Sequence, residues 1–355
     1  MFICQIFVYF HLFTNIKIEM NFGSVFYLVF CNTHKNTHMG NIRSVPIMDK
    51  YNVHDINLLD GTLAISSMEG WRKTMEDTHI LINMGNYIIV GVFDGHGNDM
   101  CAKFCQANFQ RIFLTEFGKL SNVVTSPILQ STLICTFKIL DNEFKQYMSE
   151  KNNARDCGTT ALVVAITETN YVIANAGDSR AIVIDKFTQS IIFSTLDHKP
   201  NDPDEKLRIE KASHCVTNNR IDNTLAMSRA IGDFTYKNDT LPAEDCAVTC
   251  VPTVSIVPKT INTLLFLACD GIWDVLTNQS VMNYILKKKH HIFTNTIEFD
   301  KGQICTVDKY YQMLNESSLC SESDSYPIES ICENIINIAL DLGSKDNLTV
   351  AIFNC

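Results

Sequence analysis

Two short apolar runs that each end in an Asp-Gly pair constrain the fold of this chain more than any other feature. Residues 87–93 lead directly into Asp94, residues 264–269 lead into Asp270, and a glycine follows each aspartate. Short runs rich in β-branched and aromatic residues are typical of buried strands. A carboxylate at the end of such a strand needs water, a cationic partner or a metal ion, because an unpaired buried charge is very costly. The sequence therefore predicts one acidic site assembled from two distant parts of the chain.

The composition is typical of a globular protein of a reducing compartment. The 355 residues are 46% hydrophobic and 19% charged, and the formal net charge of −10 does not favour broad binding to nucleic acid or acidic membranes. The 14 cysteines include no CxxC pair, and several lie within apolar strings, as small buried hydrophobes do. The expected location is therefore intracellular, in the cytoplasm or the nucleus.

The chain divides into an extension and one large domain. Residues 1–50 are interpreted as the extension, residues 40–57 as a loose lead-in, and residues 51–355 as the domain. Residues 290–326 are polar and serine-rich toward their end, with no persistent period, which predicts a surface insertion.

A lipidation signal lies within the extension. Met39-Gly40 is followed by Ser44, which fits the N-myristoylation pattern if translation starts at Met39. A single acyl chain on Gly40 would give marginal, reversible membrane attachment. The alternative is a chance Met-Gly pair in a disordered arm. The apolar runs within residues 1–38 are too short to span a bilayer.

Strand and helix patterns alternate densely after residue 61. The predicted strands cover residues 62–67, 87–93, 159–167, 170–176, 180–184, 190–194, 263–269 and 347–353. The predicted helices cover residues 98–117, 126–150, 202–212, 278–289 and 327–342. Because strands outnumber helices and include a hairpin, the pattern predicts an α+β fold with sheet packed on sheet and helices outside.

Five acidic residues lie where apolar segments start or stop: Glu76, Asp77, Asp94, Asp270 and Asp346. Taken singly, each is more often a turn or cap residue. Clustered carboxylates, however, raise one another's pKa unless a cation neutralises them. Oxygen ligands favour Mg²⁺ or Mn²⁺ over zinc, and two such ions can activate water and stabilise charge on an attacked phosphorus.

Eight short sequence segments, some of which contain these acidic residues, form an ordered series of motifs along the chain. They are Ser66–Arg72 with Met75–Asp77, Phe93–Gly97, Gly158–Ala161, Asn175–Ala181, Asp197–Pro200, Ser228–Asp233, Cys269–Val275 and Ser344–Asn347. In this order, over residues 61–355 and interrupted only by 290–326, the set resembles the metal-dependent serine/threonine protein phosphatases of the type-2C family.

The resemblance implies a four-layer sandwich, with two central antiparallel β-sheets flanked by α-helices on both outer faces. It also implies a centre of two Mg²⁺ or Mn²⁺ ions at one end of the sandwich. The implied ligands are Asp94, which bridges both ions, the carbonyl of Gly95, Asp270 and Asp346 for one ion, and Glu76 and Asp77 for the other. An aspartate that family members carry near Gly158 makes Asp156 a candidate ligand of a weaker third ion.

Two side chains are implied to act on the substrate, a phosphoserine or phosphothreonine protein. Arg72 would hold the phosphate with its planar fork of donors. His96 would protonate the leaving oxygen as general acid. The implied reaction is direct attack of a metal-bridging hydroxide with no phosphoenzyme, in a monomeric enzyme. Three further residues of the family motifs, Asp178, Asp233 and His198, are interpreted as loop braces.

Two alternatives belong to other classes. The segment Cys105–Arg111 has the Cys-x5-Arg spacing of cysteine-based phosphatases but lacks a glycine for a phosphate-binding loop, so it is interpreted as helix packing. An inactive scaffold that binds phosphoproteins would have lost a metal ligand or the phosphate-holding arginine, and this chain retains both. Ser213-His214 replace the family's usual glycine pair, and we expect this departure to affect substrate preference rather than catalysis.

Overall fold

Two antiparallel sheets lie at the centre of the protein. The computed structural model describes residues 42–120, 123–151, 156–286 and 327–355, together with two short strands at 297–298 and 304–305. The first sheet has six strands. In spatial order these are β1 (Ile42–Leu58), β2 (Gly61–Arg72), β18 (Leu348–Asn354), β15 (Thr263–Ala268), β9 (Arg180–Asp185) and β10 (Ser190–Ser194), numbered by position in the chain.

The second sheet has five strands, and three smaller groupings accompany the two sheets. In spatial order the five strands are β14 (Thr253–Pro258), β8 (Asn170–Ala176), β7 (Ala161–Ile166), β4 (Ile88–Phe93) and β3 (Thr78–Asn83). The smaller groupings are β13 (Ile231–Gly232) with β6 (Gly158–Thr159) and β5 (Gly95–His96), β11 (Val216–Thr217) with β12 (Arg220–Ile221), and β16 (Ile297–Glu298) with β17 (Ile304–Cys305).

Helices cover the outer faces of both sheets. They are α1 (Met100–Leu120), α2 (Ser126–Ser149), α4 (Asp270–Trp273), α5 (Asn278–Ile285) and α6 (Ile328–Asp341), whereas α3 (Pro203–Lys211) packs in a separate small cluster with β11 and β12. One apolar layer packs α1 and α2 on the second sheet, another packs α4, α5 and α6 on the first sheet, and a third lies between the sheets. The fold is thus the α+β four-layer sandwich that the sequence predicts.

The uninterrupted apolar runs of the sequence are the inner strands of this sandwich. Every residue of β4, β7 and β15 is buried, because one face of each strand meets the opposite sheet and the other face meets helices. Full burial of one large aliphatic or aromatic side chain stabilises the fold by about 1.5–3 kcal/mol. The aspartates that end β4 and β15 therefore stand at the edge of the most apolar part of the protein.

The prediction of a loose lead-in was wrong. Residues 42–58 form the edge strand β1, which pairs with β2 along its length, and the domain boundary predicted at residue 50 falls inside this strand. The apolar side chains of β1 follow no strict alternation, and Val45 and Tyr51 are exposed. Pro46 is tolerated because an edge strand needs hydrogen bonds on one side alone. An edge strand of this kind therefore contains no continuous apolar run by which the sequence would predict it.

The structure also contains two strands that the sequence did not predict, and some predictions fall on residues that the structure does not describe. The sequence did not predict β3 and β14, which are partly exposed strands at the two edges of the second sheet. Within the predicted insertion at 290–326, the structure describes β16 and β17 alone, and Met39 and Gly40 lie outside the described residues. No helix in the described part of the chain is long and apolar enough to cross a membrane.

Candidate functional site

Strand ends from both sheets bring the predicted acidic residues to one end of the sandwich. Asp94 directly follows β4, and Asp77 directly precedes β3, the neighbouring strand of the second sheet. Asp270 follows β15 by two residues, and Asp346 lies just before β18, the strand beside β15. The carboxylate oxygens of Asp77 and Asp94 and the sulfur of Cys269 lie within 4.8 Å of one another. The structure thus unites the two Asp-Gly strand ends.

The buried carboxylates of this cluster oppose one another's ionisation. Burial raises the pKa of Asp94 well above its ordinary value, and the charges of Asp270 and other carboxylates raise it further. Burial and the charge of Asp346 raise the pKa of Asp270 in the same way. Burial also raises the pKa of Asp77 to about 7, although its Oδ2 accepts a hydrogen bond from the Thr349 hydroxyl at 2.7 Å. Divalent cations would remove this repulsion, so the oxygen donors fit a centre for Mg²⁺ or Mn²⁺.

Asp178 also belongs to this cluster, which the sequence did not reveal. Its Oδ2 accepts a hydrogen bond from Nζ of Lys199 at 2.5 Å, so the predicted bracing role is real. Its charge, however, raises the pKa of both Asp94 and Asp270, and its buried Oδ1 has no partner among the described residues. The available signal was its place just after the buried strand β8, the same signal that identified Asp94.

Glu76 is held by its backbone as well as by its side chain. Its amide donates to Oδ1 of Asn347 at 2.8 Å, and its Oε1 accepts from the Thr74 hydroxyl at 2.9 Å. A Cβ at Gly95 would lie 2.5 Å from the carbonyl oxygen of Glu76, so no side chain fits at this position. The glycine of the Asp-Gly pair is therefore required for the close approach of two backbone segments at the cluster.

Arg72 stands at the rim of the acidic cluster. Its Nη2 donates to Oδ2 of Asp346 at 2.5 Å, and its side chain is 40% exposed. Burial alone would lower the pKa of Arg72, but the charges of Asp346, Asp270 and Asp94 raise it. A guanidinium that is both reachable and attached to the cluster is suited to bind an oxyanion.

His96 is oriented by a carboxylate from a distant loop. Its Nε2 lies 2.7 Å from Oδ2 of Asp233, and its Nδ1 has no partner among the described residues. Burial alone would lower the pKa of His96, but the charge of Asp233 raises it above the ordinary value. A Cβ at Gly158 would lie 2.3 Å from the Asp233 carboxylate, so the glycine leaves room for this pair. The bracing role predicted for Asp233 is thus a specific contact with His96.

The remaining candidates from the sequence lie in structural positions. Both carboxylate oxygens of Asp156 accept backbone N–H groups, from Phe234 at 3.0 Å and from Thr235 at 2.8 Å. A role for Asp156 toward a third ion stays a prediction. His198 is buried with Nε2 at 3.0 Å from the Thr253 hydroxyl, and burial lowers its pKa to about 4, which confirms a structural role.

The cysteine-phosphatase alternative has no support in the structure. Cys105 is buried inside α1, and Arg111 pairs with Glu143 on the surface at 2.5 Å. These two side chains do not converge on a phosphate-binding loop, so Cys105–Arg111 is helix packing as predicted.

A centre for hard cations beside an anion-binding arginine is suited to the hydrolysis of phosphate esters, and this chemistry defines a metal-dependent phosphatase. The family profile "Protein phosphatase 2C" matches residues 62–296. The chain therefore belongs to the protein phosphatase 2C family of metal-dependent serine/threonine phosphatases, and it is an enzyme of this class.

Individual relatives agree with this assignment. The chain is 36% identical to "Protein phosphatase 2C homolog 2" of Schizosaccharomyces pombe, over 70% of this chain and 67% of the relative. It is 29% identical to mouse "Protein phosphatase 1B", over 88% of this chain and 75% of the relative. A solved phosphatase from Toxoplasma gondii shares the fold with a TM-score of 0.65 at 22% identity, over 86% of this chain and 95% of that structure.

The raised pKa values make the stability of the metal-free protein depend on pH. Folded Asp77 has a pKa of about 7 against an ordinary 3.8, so the folded state binds more protons than the unfolded state between these values. The stability that protonated Asp77 contributes is complete below its ordinary pKa of 3.8 and is lost as pH rises through about 7. Between these values the free energy of unfolding falls by up to about 1.4 kcal/mol per pH unit for each such proton.

Denaturant unfolding in EDTA between about pH 4.5 and pH 7.5 measures this dependence. We expect the free energy of unfolding to fall as pH rises, with a weaker slope in Asp77→Asn. A free energy that is flat or rises with pH would show that the carboxylates are not strained in the metal-free protein.

Proposed function

We propose that this enzyme hydrolyses phosphoserine and phosphothreonine in proteins by direct displacement at phosphorus. The observation that carries this proposal is the convergence of four buried or half-buried aspartates with Arg72 and His96 at one end of the sandwich. A scaffold that only binds phosphoproteins has no need of such a strained cluster of carboxylates.

The acidic residues would hold two Mg²⁺ or Mn²⁺ ions. Asp94 would serve both ions, Asp270 and Asp346 would hold one, Glu76 and Asp77 would hold the other, and the carbonyl of Gly95 would be a further ligand. When bound, the ions supply an activated hydroxide between them and neutralise charge on the phosphoryl group. Bound cations would neutralise the repulsion between the carboxylates and would displace the protons that the raised pKa values otherwise favour, so cation affinity should increase with pH.

Arg72 would orient the phosphate. In the structure its guanidinium is paired with Asp346, so a substrate phosphate would share or replace this partner. Two parallel N–H groups of the fork can bind two phosphate oxygens and fix the phosphorus relative to the acidic cluster. This geometry favours a phosphate monoester, whose dianion matches the charge of the fork and the cations.

His96 would supply the proton that the leaving seryl or threonyl oxygen requires. An alkoxide is a poor leaving group, so a positioned acid accelerates its departure substantially. The contact with Asp233 fixes Nε2, and the charge of Asp233 raises the pKa of the ring, which favours the protonated form that a general acid requires. The proton on Nδ1, the nitrogen with no partner among the described residues, is the one proposed to move.

The direct test is phosphate release from a phosphothreonine peptide by the full chain with Mn²⁺ or Mg²⁺, and then with excess EDTA. Turnover that needs the cation and persists after thiol alkylation is the expected result. No turnover by folded, cation-supplemented protein would refute the catalytic proposal and favour the scaffold, whose phosphopeptide binding should then persist in EDTA.

A further inference from the structure

We propose that Arg43, a residue of the edge strand β1, is a positioning residue that holds Arg72 in place for phosphate binding. This inference rests on the proposed role of Arg72 as the phosphate-binding residue. It concerns the segment of the chain that the sequence alone suggested to be a loose lead-in.

Arg43 forms hydrogen bonds directly to the backbone of residues 69–74, the phosphate-binding segment that contains Arg72. Its Nε donates to the carbonyl oxygen of Arg72 at 3.0 Å, and its Nη2 donates to the carbonyl oxygen of Lys73 at 2.9 Å. The same guanidinium binds Oε1 of Glu69, at 2.7 Å from Nη2 and 3.2 Å from Nε. Glu69 thus fixes the plane of the fork, and the fork fixes two successive carbonyl groups.

A local irregularity of the sheet directs Arg43 toward this segment. Ile42 is opposite Arg72 and Ile47 is opposite Gly70, so four residues of β1 span a stretch where β2 has one. Bulges of this kind bend the strand and re-aim side chains, and they are frequent beside active sites. Gly70 contributes a left-handed turn with φ of +66°, which bends β2 at the same place.

Asn347 holds the same segment through two further hydrogen bonds to its backbone. Nδ2 of Asn347 donates to the carbonyl oxygens of Glu69 at 2.9 Å and Thr74 at 3.1 Å. Asn347 therefore fixes the two ends of the segment, whereas Arg43 fixes its middle, where Arg72 lies. Without Arg43, the carbonyl groups of residues 72 and 73 lose these donors, and Arg72 loses one of the contacts that hold its backbone.

The test is a double-mutant cycle of Arg43→Ala and Arg72→Ala in the full chain. The measured quantities are kcat and KM for a phosphothreonine peptide, the inhibition constant of inorganic phosphate, and Tm. We expect Arg43→Ala to raise KM and the phosphate inhibition constant by about tenfold, because two hydrogen bonds from a charged donor are lost. The change in kcat should stay within about threefold.

The decisive comparison is the same substitution in the Arg72→Ala background. There Arg43→Ala should have almost no further effect on phosphate affinity, because the group that it positions is absent. Arg43→Lys, which keeps the charge but not the fork, should lie between Arg43→Ala and the unchanged protein. Arg111→Ala is the matched control, since Arg111 of α1 also pairs with a glutamate, Glu143 of α2, and these helices pack on the sheet that does not contain β1 and β2.

Three results would overturn the inference. Unchanged phosphate affinity in Arg43→Ala would do so, as would an equal loss in both backgrounds, which would indicate general destabilisation. Unchanged phosphate affinity in Arg72→Ala would overturn the proposed role of Arg72 and this inference with it. If Arg43→Ala does not fold, the same comparisons are made with Arg43→Lys.

Discussion

Replacing Asp94 by asparagine is expected to reduce kcat/KM on a phosphothreonine peptide by about a thousandfold or more. Asp94 lies at the centre of the acidic cluster, where burial and three or more neighbouring carboxylates raise its pKa. The amide cannot bridge two cations, and stabilisation of charge by bound metal is worth several kcal/mol, at about 1.4 kcal/mol per tenfold in rate. The same substitution removes a strained charge, so Tm of the metal-free protein should stay constant or rise.

Activity and thermal unfolding together give the sharpest form of this test. In the unchanged protein, Mn²⁺ should raise Tm because it binds the folded state. In Asp94→Asn this increase should be largely lost while the protein stays folded. Asp99→Asn is the matched control, because Asp99 lies nearby in the chain, is partly exposed and pairs with Lys103 one helical turn away. Activity of Asp94→Asn within tenfold of the unchanged protein would contradict the proposed metal centre.

Replacing His96 by glutamine is expected to slow the enzyme according to the leaving group. On a phosphothreonine peptide, kcat should fall by about 10²–10⁴, the range of a positioned general acid. On an aryl phosphate with a good leaving group, the same substitution should change kcat far less, because the phenolate departs without a proton. The ratio of the two effects measures proton donation separately from binding.

The variant Asp233→Asn tests whether the charge of Asp233 keeps the pKa of His96 raised. The amide keeps a hydrogen-bonding group near Nε2 of His96 but removes the charge that raises the pKa of the ring. In Asp233→Asn, kcat on the phosphothreonine peptide should then fall more at high pH than at low pH, since a smaller fraction of His96 is protonated there. Equal losses on peptide and aryl phosphate in His96→Gln would contradict the general-acid role and would leave His96 a structural residue.

The parts of the fold that the sequence predicted best are those with the strongest burial. The apolar runs that became β4 and β15 have every residue buried, and their ends mark the cluster. The edge strand β1 was missed because none of its described side chains is fully buried and it is held by backbone pairing to β2. Backbone pairing leaves no mark on the sequence, whereas burial on both faces leaves a continuous apolar run.

A similar division applies to the site. Four aspartates at strand ends, Asp77, Asp94, Asp270 and Asp346, were predicted, because burial of a carboxylate is unusual enough to indicate a function, whereas Asp178 after β8 was interpreted as a brace. The contacts of Arg43 with Arg72, of Asp233 with His96 and of Asn347 with the phosphate-binding segment could not be predicted. They join residues that are 29, 137 and up to 278 positions apart. Such contacts depend on the assembled sandwich.

Under the proposed function, this acidic cluster holds two divalent cations that share Asp94. Equilibrium dialysis of the full chain against Mn²⁺, read by electron paramagnetic resonance, tests it most directly. We expect about two tightly bound ions per chain with the spectrum of an exchange-coupled pair, and loss of that coupling in Asp94→Asn. A single bound ion, or two uncoupled ions that persist in Asp94→Asn, would contradict a two-ion centre that shares Asp94.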